Sequence, residues 1–147
     1  MTTIIKFPSS STYNKTLEQA EYRIYVKGAS EIVFDSCTHY ADAEGRVHKL
    51  GDKSRQQFKD IILEYAENTL HTICMGYRDI TNSEFEHISD EKAPINDLIC
   101  LGIIGIENPL RPGVTESVKV FKKAGVCVRM ITGDNLETAK AIAKKRR

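Results

Sequence analysis

No stretch of the 147-residue chain is apolar enough to cross a bilayer. The longest apolar run, residues 98–106, is about half the ~20 residues a membrane helix needs. The opening Met-Thr-Thr-Ile-Ile-Lys-Phe-Pro lacks the basic start, long apolar stretch and cleavage site of a secretory leader. Charge of one sign is also missing. Lys and Arg number 21 against 20 Asp and Glu, a net charge of +1, so nothing electrostatic favours nucleic acid or a membrane surface as a partner. Metal-ligand spacing is lacking as well: Cys37, Cys74, Cys100 and Cys127 are widely separated and form no zinc pattern with His39, His48, His71 and His87. The closeness of Cys37 and His39 is read as incidental, and no metal site is expected. Three of the cysteines lie in apolar segments, which suits reduced, mostly buried thiols in a cytosolic setting. No internal repeat or long low-complexity tract occurs.

What remains is an ordinary globular mixture, 41% hydrophobic and 28% charged, long enough for one domain or two small pieces of a larger one. Residues 2–7 read as a short strand stopped by Pro8, and residues 9–17 as a polar loop. Tyr22, Ile24 and Val26 alternate with Arg23 and Tyr25, the period of a strand, which Lys27-Gly28-Ala29 should stop. Ser30 is placed to cap a helix over 31–37. Residues 40–50 read as a polar loop around Gly45. Phe58, Ile61, Ile62 and Tyr65 recur at helical spacing, so 53–68 is the clearest helix. Residues 72–77 read as a strand, 79–96 as loop, and 97–107 as a strand apolar enough to be buried on both faces. Pro112 suits the opening of a helix whose stripe is Val114, Val118 and Phe121 and whose end is Gly125. Residues 126–131 read as a strand interrupted by Arg129, followed by a turn at 132–135 and a helix from Leu136, where Asp134 and Glu137 have capping-box spacing.

The last third is thus strand, helix, strand, turn, helix, the pattern of a parallel α/β unit. Its second strand delivers Thr132-Gly133-Asp134 to a sheet edge. There Gly133 permits close backbone approach, Thr132 offers a hydroxyl, and the helix start offers unpaired N–H groups to an anion. A bare Thr-Gly-Asp is more often a helix cap, and a bare Lys27-Gly28-Ala29 more often a solvated strand end. Phe7 at a strand end is as well suited to core packing as to stacking on a base. The basic end, Lys144 to Arg147, reads as the last turn of a helix.

Order and context sharpen these fragments. Gly105-Ile106-Glu107-Asn108-Pro109-Leu110-Arg111-Pro112, then Val118 to Val126, then Met130-Ile131-Thr132-Gly133-Asp134-Asn135-Leu136-Glu137-Thr138-Ala139, resemble the join between the nucleotide-binding and phosphorylation domains of P-type ATPases. Tyr22-Arg23-Ile24-Tyr25-Val26-Lys27-Gly28-Ala29-Ser30-Glu31 resembles that family's Lys-Gly-Ala strand end. Tyr65 to Asp79 resembles its Thr-Leu-Arg-x passage into a strand. The stretches Ile24-Tyr25-Val26-Lys27-Gly28-Ala29-Ser30-Glu31-Ile32-Val33 and Pro109-Leu110-Arg111-Pro112-Gly113-Val114 look most like plasma-membrane or vacuolar calcium pumps.

The resemblance implies an α/β chain. An α+β nucleotide-binding portion with a mostly antiparallel sheet spans 1–107, and a partial Rossmann-like unit of haloacid-dehalogenase type spans 108–147. It implies ATP and Mg²⁺ as cofactors. Phe7, Lys27, Gly28 and His71 would hold the nucleotide, Thr132, Gly133 and Asp134 the phosphoryl group and Mg²⁺, and Asn108 and Arg111 the hinge. ATP and the remainder of a pump, or an intact pump, are the expected partners. The segment is expected to be cytosolic, on a membrane-bound assembly.

Departures from the family pattern set further expectations. No Asp-Lys-Thr-Gly-Thr occurs; Asp52-Lys53-Ser54-Arg55 lacks the glycine. With no such aspartate, no catalytic residue is assigned, and the chain alone is expected not to turn over ATP. Phe7-Pro8-Ser9-Ser10 keeps the aromatic and a serine of the family's adenine motif without its cations, which Lys15 could replace only across a longer loop. His71 stands in place of a phosphate-facing arginine and Asn108 in place of a hinge aspartate, both pointing to weaker ATP binding. An exposed sheet edge and marginal stability are expected. Two other readings compete: a truncated paralogue acting as a binding module, and a small phosphatase, against which the missing nucleophile argues.

Overall fold

The computed structural model describes residues 1–8, 18–88, 95–109, 111–133 and 136–145. The expected loop over 9–17, and Leu110, Asp134 and Asn135, lie outside the described residues. Six strands form one mixed sheet in the order β1-β2-β5-β6-β3-β4. They are β1 (Thr2–Lys6), β2 (Tyr22–Ala29), β3 (Cys37–Ala41), β4 (Val47–Lys49), β5 (Leu70–Ile80) and β6 (Leu98–Glu107). β3 runs parallel to β6 and the other neighbours run antiparallel, so the sheet is mixed where a mostly antiparallel one was expected. The partner of β6 arrives from α1 (Ser30–Asp35), a crossover that reverses the chain before β3 forms.

Helices α1 and α2 (Asp52–Glu67) cover one face of the sheet. Beneath them lie Ile24, Val26, Val33, Phe34, Cys37, Ile62, Cys74, Ile80, Leu98 and Cys100, a single apolar core. Phe34 meets the Phe58 ring at 5.2 Å, and Tyr40 meets it edge-on at 5.6 Å. The buried line of α2 is Phe58, Ile62 and Ala66, spaced four apart; Ile61, expected in that stripe, is turned outward. A short α3 (Asn82–Glu86) follows β5 and stacks Phe85 on Tyr22 at 4.1 Å.

Several local expectations are corrected. β2 does not stop at Lys27 but continues through Ala29, because Gly28 and Ala29 still pair with Cys74 and Ile73 of β5. Ser30 does not cap α1. It is buried inside the first turn and its hydroxyl shares a hydrogen bond with Thr72. The expected loop over 40–50 contains the β3–β4 hairpin. Its turn is tied by the Asp42 carboxylate, which accepts from the Glu44 and Arg46 backbone N–H groups at 3.0 and 2.8 Å, and Gly45 adopts φ +79°. His48, a hydrogen bond from which is the first cause, together with Arg46, pulls the Asp42 carboxyl well below its usual range. β6 is buried on both sides only at Leu98, Ile99 and Cys100; Leu101, Ile104 and Ile106 are exposed, because no helix covers the second face there.

After β6 come α4 (Val114–Lys123) and α5 (Leu136–Lys145). α4 starts at Gly113, which has φ +84°, and closes with two bonds around Gly125: Val126 N–H to Phe121 O and Gly125 N–H to Lys122 O, at 2.9 and 3.0 Å. The expected strand over 126–131 forms no ladder. Its apolar side chains face outward, Ile131 at 97% exposure, since no neighbouring strand lies beside them among the described residues. Among the described residues this part shows no Rossmann-like strand pairing. α5 packs back against α2. Among the described residues no helix is long and apolar enough to cross a membrane.

Candidate functional site: an uncovered sheet face and a basic cleft

Strand alternation sends Ile24, Val26 and Cys74 into the core, and so sends Arg23, Tyr25, Lys27, Met75, Tyr77 and Asp79 to the opposite face. Two regions of that face differ in character.

At one end, Arg23 and Asp79 form a bidentate pair, Nε to Oδ1 at 2.6 Å and Nη2 to Oδ2 at 3.0 Å, with the Asp79 side chain 1% exposed. The guanidinium lies 4.2 Å from the Tyr77 ring centroid and 5.3 Å from that of Phe7. Burial works against the Arg23 charge, but hydrogen bonds to Asp79 and Tyr25 outweigh it and raise its pKa. Burial also raises the Tyr77 phenol. Phe7 is thus buried against a cation, and stacking on adenine would require its ring to be uncovered.

Beyond this pair the face opens. Lys27 is exposed and borders a hollow of about 260 Å³ with Thr3, Tyr25, Met75 and Leu101. Gly28 has a purely structural reason to lack a side chain, because a Cβ there would lie 3.2 Å from Val33 Cγ2 on α1. Along β5 from Met75, the register partner of Lys27, His71 lies four residues away on the same face, about 13 Å at strand rise.

His71 lines a second, larger hollow, a cleft of about 550 Å³ where β6 gives way to the C-terminal segment. Asn108, Arg111, Arg129, Thr132 and Ile142 also line it. The cleft therefore gathers four of the residues singled out from sequence: His71, Asn108, Arg111 and Thr132. Lys27 and Gly28 lie outside it, Gly133 sits at its margin in open space, and Asp134 lies outside the described residues. Arg129 was missed as a site residue because it read as an interruption of an apolar strand. With the ladder unformed, its side chain joins Arg111 at the wall. Two guanidinium groups and a histidine suit an anion with several oxygens. They do not suit a protein-held Mg²⁺: among the described residues no carboxylate lines the cleft, and Asn108 and Thr132 supply only neutral oxygens.

The fold is an α/β module with a mixed six-stranded sheet and a cleft lined by two arginines and a histidine. The sequence profile described as "P-type ATPase, cytoplasmic domain N" matches residues 1–113. Over 145 residues and 99% of the chain, the sequence is 40% identical to a plasma membrane-type calcium-transporting ATPase 3 of Oryza sativa subsp. japonica. It is 42% identical over 128 residues, 87% of the chain, to a plasma membrane-type calcium-transporting ATPase 2 of Arabidopsis thaliana. It is 36% identical over 146 residues, 99% of the chain, to the plasma membrane calcium-transporting ATPase 3 of Homo sapiens. The chain spans 11–13% of the length of these relatives. This protein belongs to the P-type ATPase family and comprises its cytoplasmic N domain over most of its length.

Proposed function

We propose that the chain is the ATP-holding cytosolic segment of a P-type calcium-transporting ATPase, and that a nucleotide lies along the uncovered sheet face from Lys27 to the basic cleft. The observation that carries this reading is the cleft itself, in which His71 of β5 meets Arg111 and Arg129 from the segment beyond β6. In this reading the base and ribose occupy the hollow beside Tyr25, Met75 and Leu101. Lys27 neutralises an inner phosphate. The outer phosphates reach His71, Arg111 and Arg129, and Thr132 donates its hydroxyl to the last of them. Mg²⁺ rides on phosphate oxygens and water, with Asn108 as a neutral neighbour and Asp134 as the nearest carboxylate in sequence. Phe7 joins the base only if the Arg23 side of the face opens.

Residues 1–107 would form the nucleotide-binding part and 108–147 a portion of a phosphorylation domain. The outward apolar side chains of residues 120–131 support the second assignment, because they need a sheet partner to cover them. Calcium comes to this chain through the printed names of its relatives, and so does the membrane on which the assembly would sit. The chain carries no Asp-Lys-Thr-Gly-Thr whose aspartate could accept a phosphoryl group, so its role is to bind and present ATP rather than to cleave it.

An amide-resolved NMR titration with ATP tests the proposal. Shifts are expected in two groups, around Lys27, Met75 and Leu101 and around His71, Arg111 and Thr132. Shifts confined to one group would divide the nucleotide path, and none at millimolar ATP would favour a binding module for another protein.

A further inference from the structure

We propose that Cys37, Cys74 and Cys100 form a three-sulfur site for a soft trivalent ion, with arsenite as its probe. The three thiols come from three different strands, β3, β5 and β6, and converge in the core. All are buried, and their sulfur atoms lie within 4.8 Å of one another, Cys74 and Cys100 at 3.7 Å. Thiolate bonds of about 2.3 Å to a shared ion put sulfurs about 3.8 Å apart at tetrahedral angles and about 4.0 Å apart at trigonal ones. The Cys74–Cys100 spacing is close to these values, and with all three sulfurs within 4.8 Å of one another the cluster can close on an ion by small side-chain shifts. That spacing is too long for a disulfide, whose sulfurs sit about 2.05 Å apart.

Charge decides which ion fits. The surroundings are Phe34, Leu98, Ile24 and Val33, an apolar core that disfavours net charge. Three thiolates around a monovalent or divalent ion leave a buried negative charge. Zinc would also ask for a fourth ligand, and among the described residues the cluster ends at three sulfurs. A trivalent thiophilic centre leaves a neutral complex. Arsenous acid, As(OH)₃, condenses with three thiols to As(SR)₃ and three waters. Three As–O and three S–H bonds break, three As–S and three O–H bonds form, and arsenic stays trivalent throughout.

Entry requires local opening of the sheet. The β5–β6 ladder shifts register between Met75 and Gly76, immediately beside Cys74, which weakens it at that point. Once bound, the ion would tie β3, β5 and β6 together at one point.

The test titrates the reduced full chain with arsenite and follows intact mass, reactive thiols and thermal midpoint. One arsenic per folded chain is expected, with three of the four thiols lost and Cys127, the exposed one, still reactive. The midpoint should rise, as for any ligand that prefers the folded state. Cys127→Ser should leave the arsenic uptake and the midpoint rise unchanged, while Cys100→Ala should weaken binding by about two orders of magnitude through loss of the third tethered ligand. If Cys100→Ala does not fold, the intact mass of the unaltered chain, with one arsenic gained and three hydrogens lost, decides alone. No arsenic on the folded chain, uptake that leaves three thiols reactive, or a midpoint that falls on binding would each overturn the proposal.

Discussion

Arg23 is the residue whose surroundings demand most. Its partner Asp79 is nearly inaccessible, and removing one member of such a pair leaves the other charge buried and unmatched. Arg23→Met is therefore expected to destabilise the chain by about 3–5 kcal/mol, read from urea denaturation midpoints. Sequence alternation placed Arg23 correctly on the face opposite Ile24, but gave no hint of Asp79, which read as the start of a loop. The pairing depends on register between β2 and β5, fifty-six positions apart in the chain, and no local pattern encodes that. Gly105 is a second position fixed by packing. A Cβ there would lie 2.7 Å from Leu70 Cδ1 and 3.2 Å from Tyr65 Cδ2. Gly105→Ala should lower stability by about 1–3 kcal/mol through overpacking, measured in the same titration.

The elements that were legible are those with a strong period and a covered face. α2 falls where apolar spacing predicts it, because it buries its stripe against the core; β5 contains the strand expected over 72–77 but runs from Leu70 to Ile80, and α3 forms inside the loop expected over 79–96. The β3–β4 hairpin was not legible, since its strands are short and half-exposed and its turn depends on one carboxylate reaching back to the chain. Residues 126–131 failed for the opposite reason: they have the composition of a strand but no partner to pair with. α3 shows what a short element needs. Thr81 and Glu84 form a complete capping box, and Glu84 also accepts from Arg78 Nη2 at 2.6 Å. The Thr81 backbone N–H, the largest cause, and Arg78 hold the Glu84 carboxyl below its ordinary 4.5. A lowered folded pKa means this contribution is fully present above about pH 4.5 and is lost as pH falls through the folded value. Thermal midpoints measured between neutral and acid pH should fall less steeply for Glu84→Gln than for the unaltered chain. α4 buries none of its residues, so its amides should exchange with solvent sooner than those of β5 and β6 when followed by NMR.

At the scale of the molecule, α1 and α2 cover one face of the sheet, and the other opens only beyond the buried Arg23–Asp79 pair; Lys27 and His71 lie on that second face, whereas Gly28 faces α1 and Phe7 is buried. The cleft residues His71, Asn108 and Arg111 were singled out only through the family resemblance, and Thr132 also through its place between an apolar run and a helix start. The separation of Lys27 from that cleft was not recoverable, since it depends on how far apart the two hollows lie along β5. Open apolar surface at Leu101, Ile104, Ile106 and residues 120–131, together with the uncovered edges β1 and β4, fits a chain of modest stability.

Calorimetric titration with ATP and with AMP addresses the bridging nucleotide most directly. On this account Lys27→Ala weakens both ligands by about tenfold or more, as expected for losing a hydrogen bond to a charged group, while Arg111→Ala weakens ATP by a similar factor and leaves AMP unchanged. Equal affinity of the unaltered chain and both variants for ATP would contradict it.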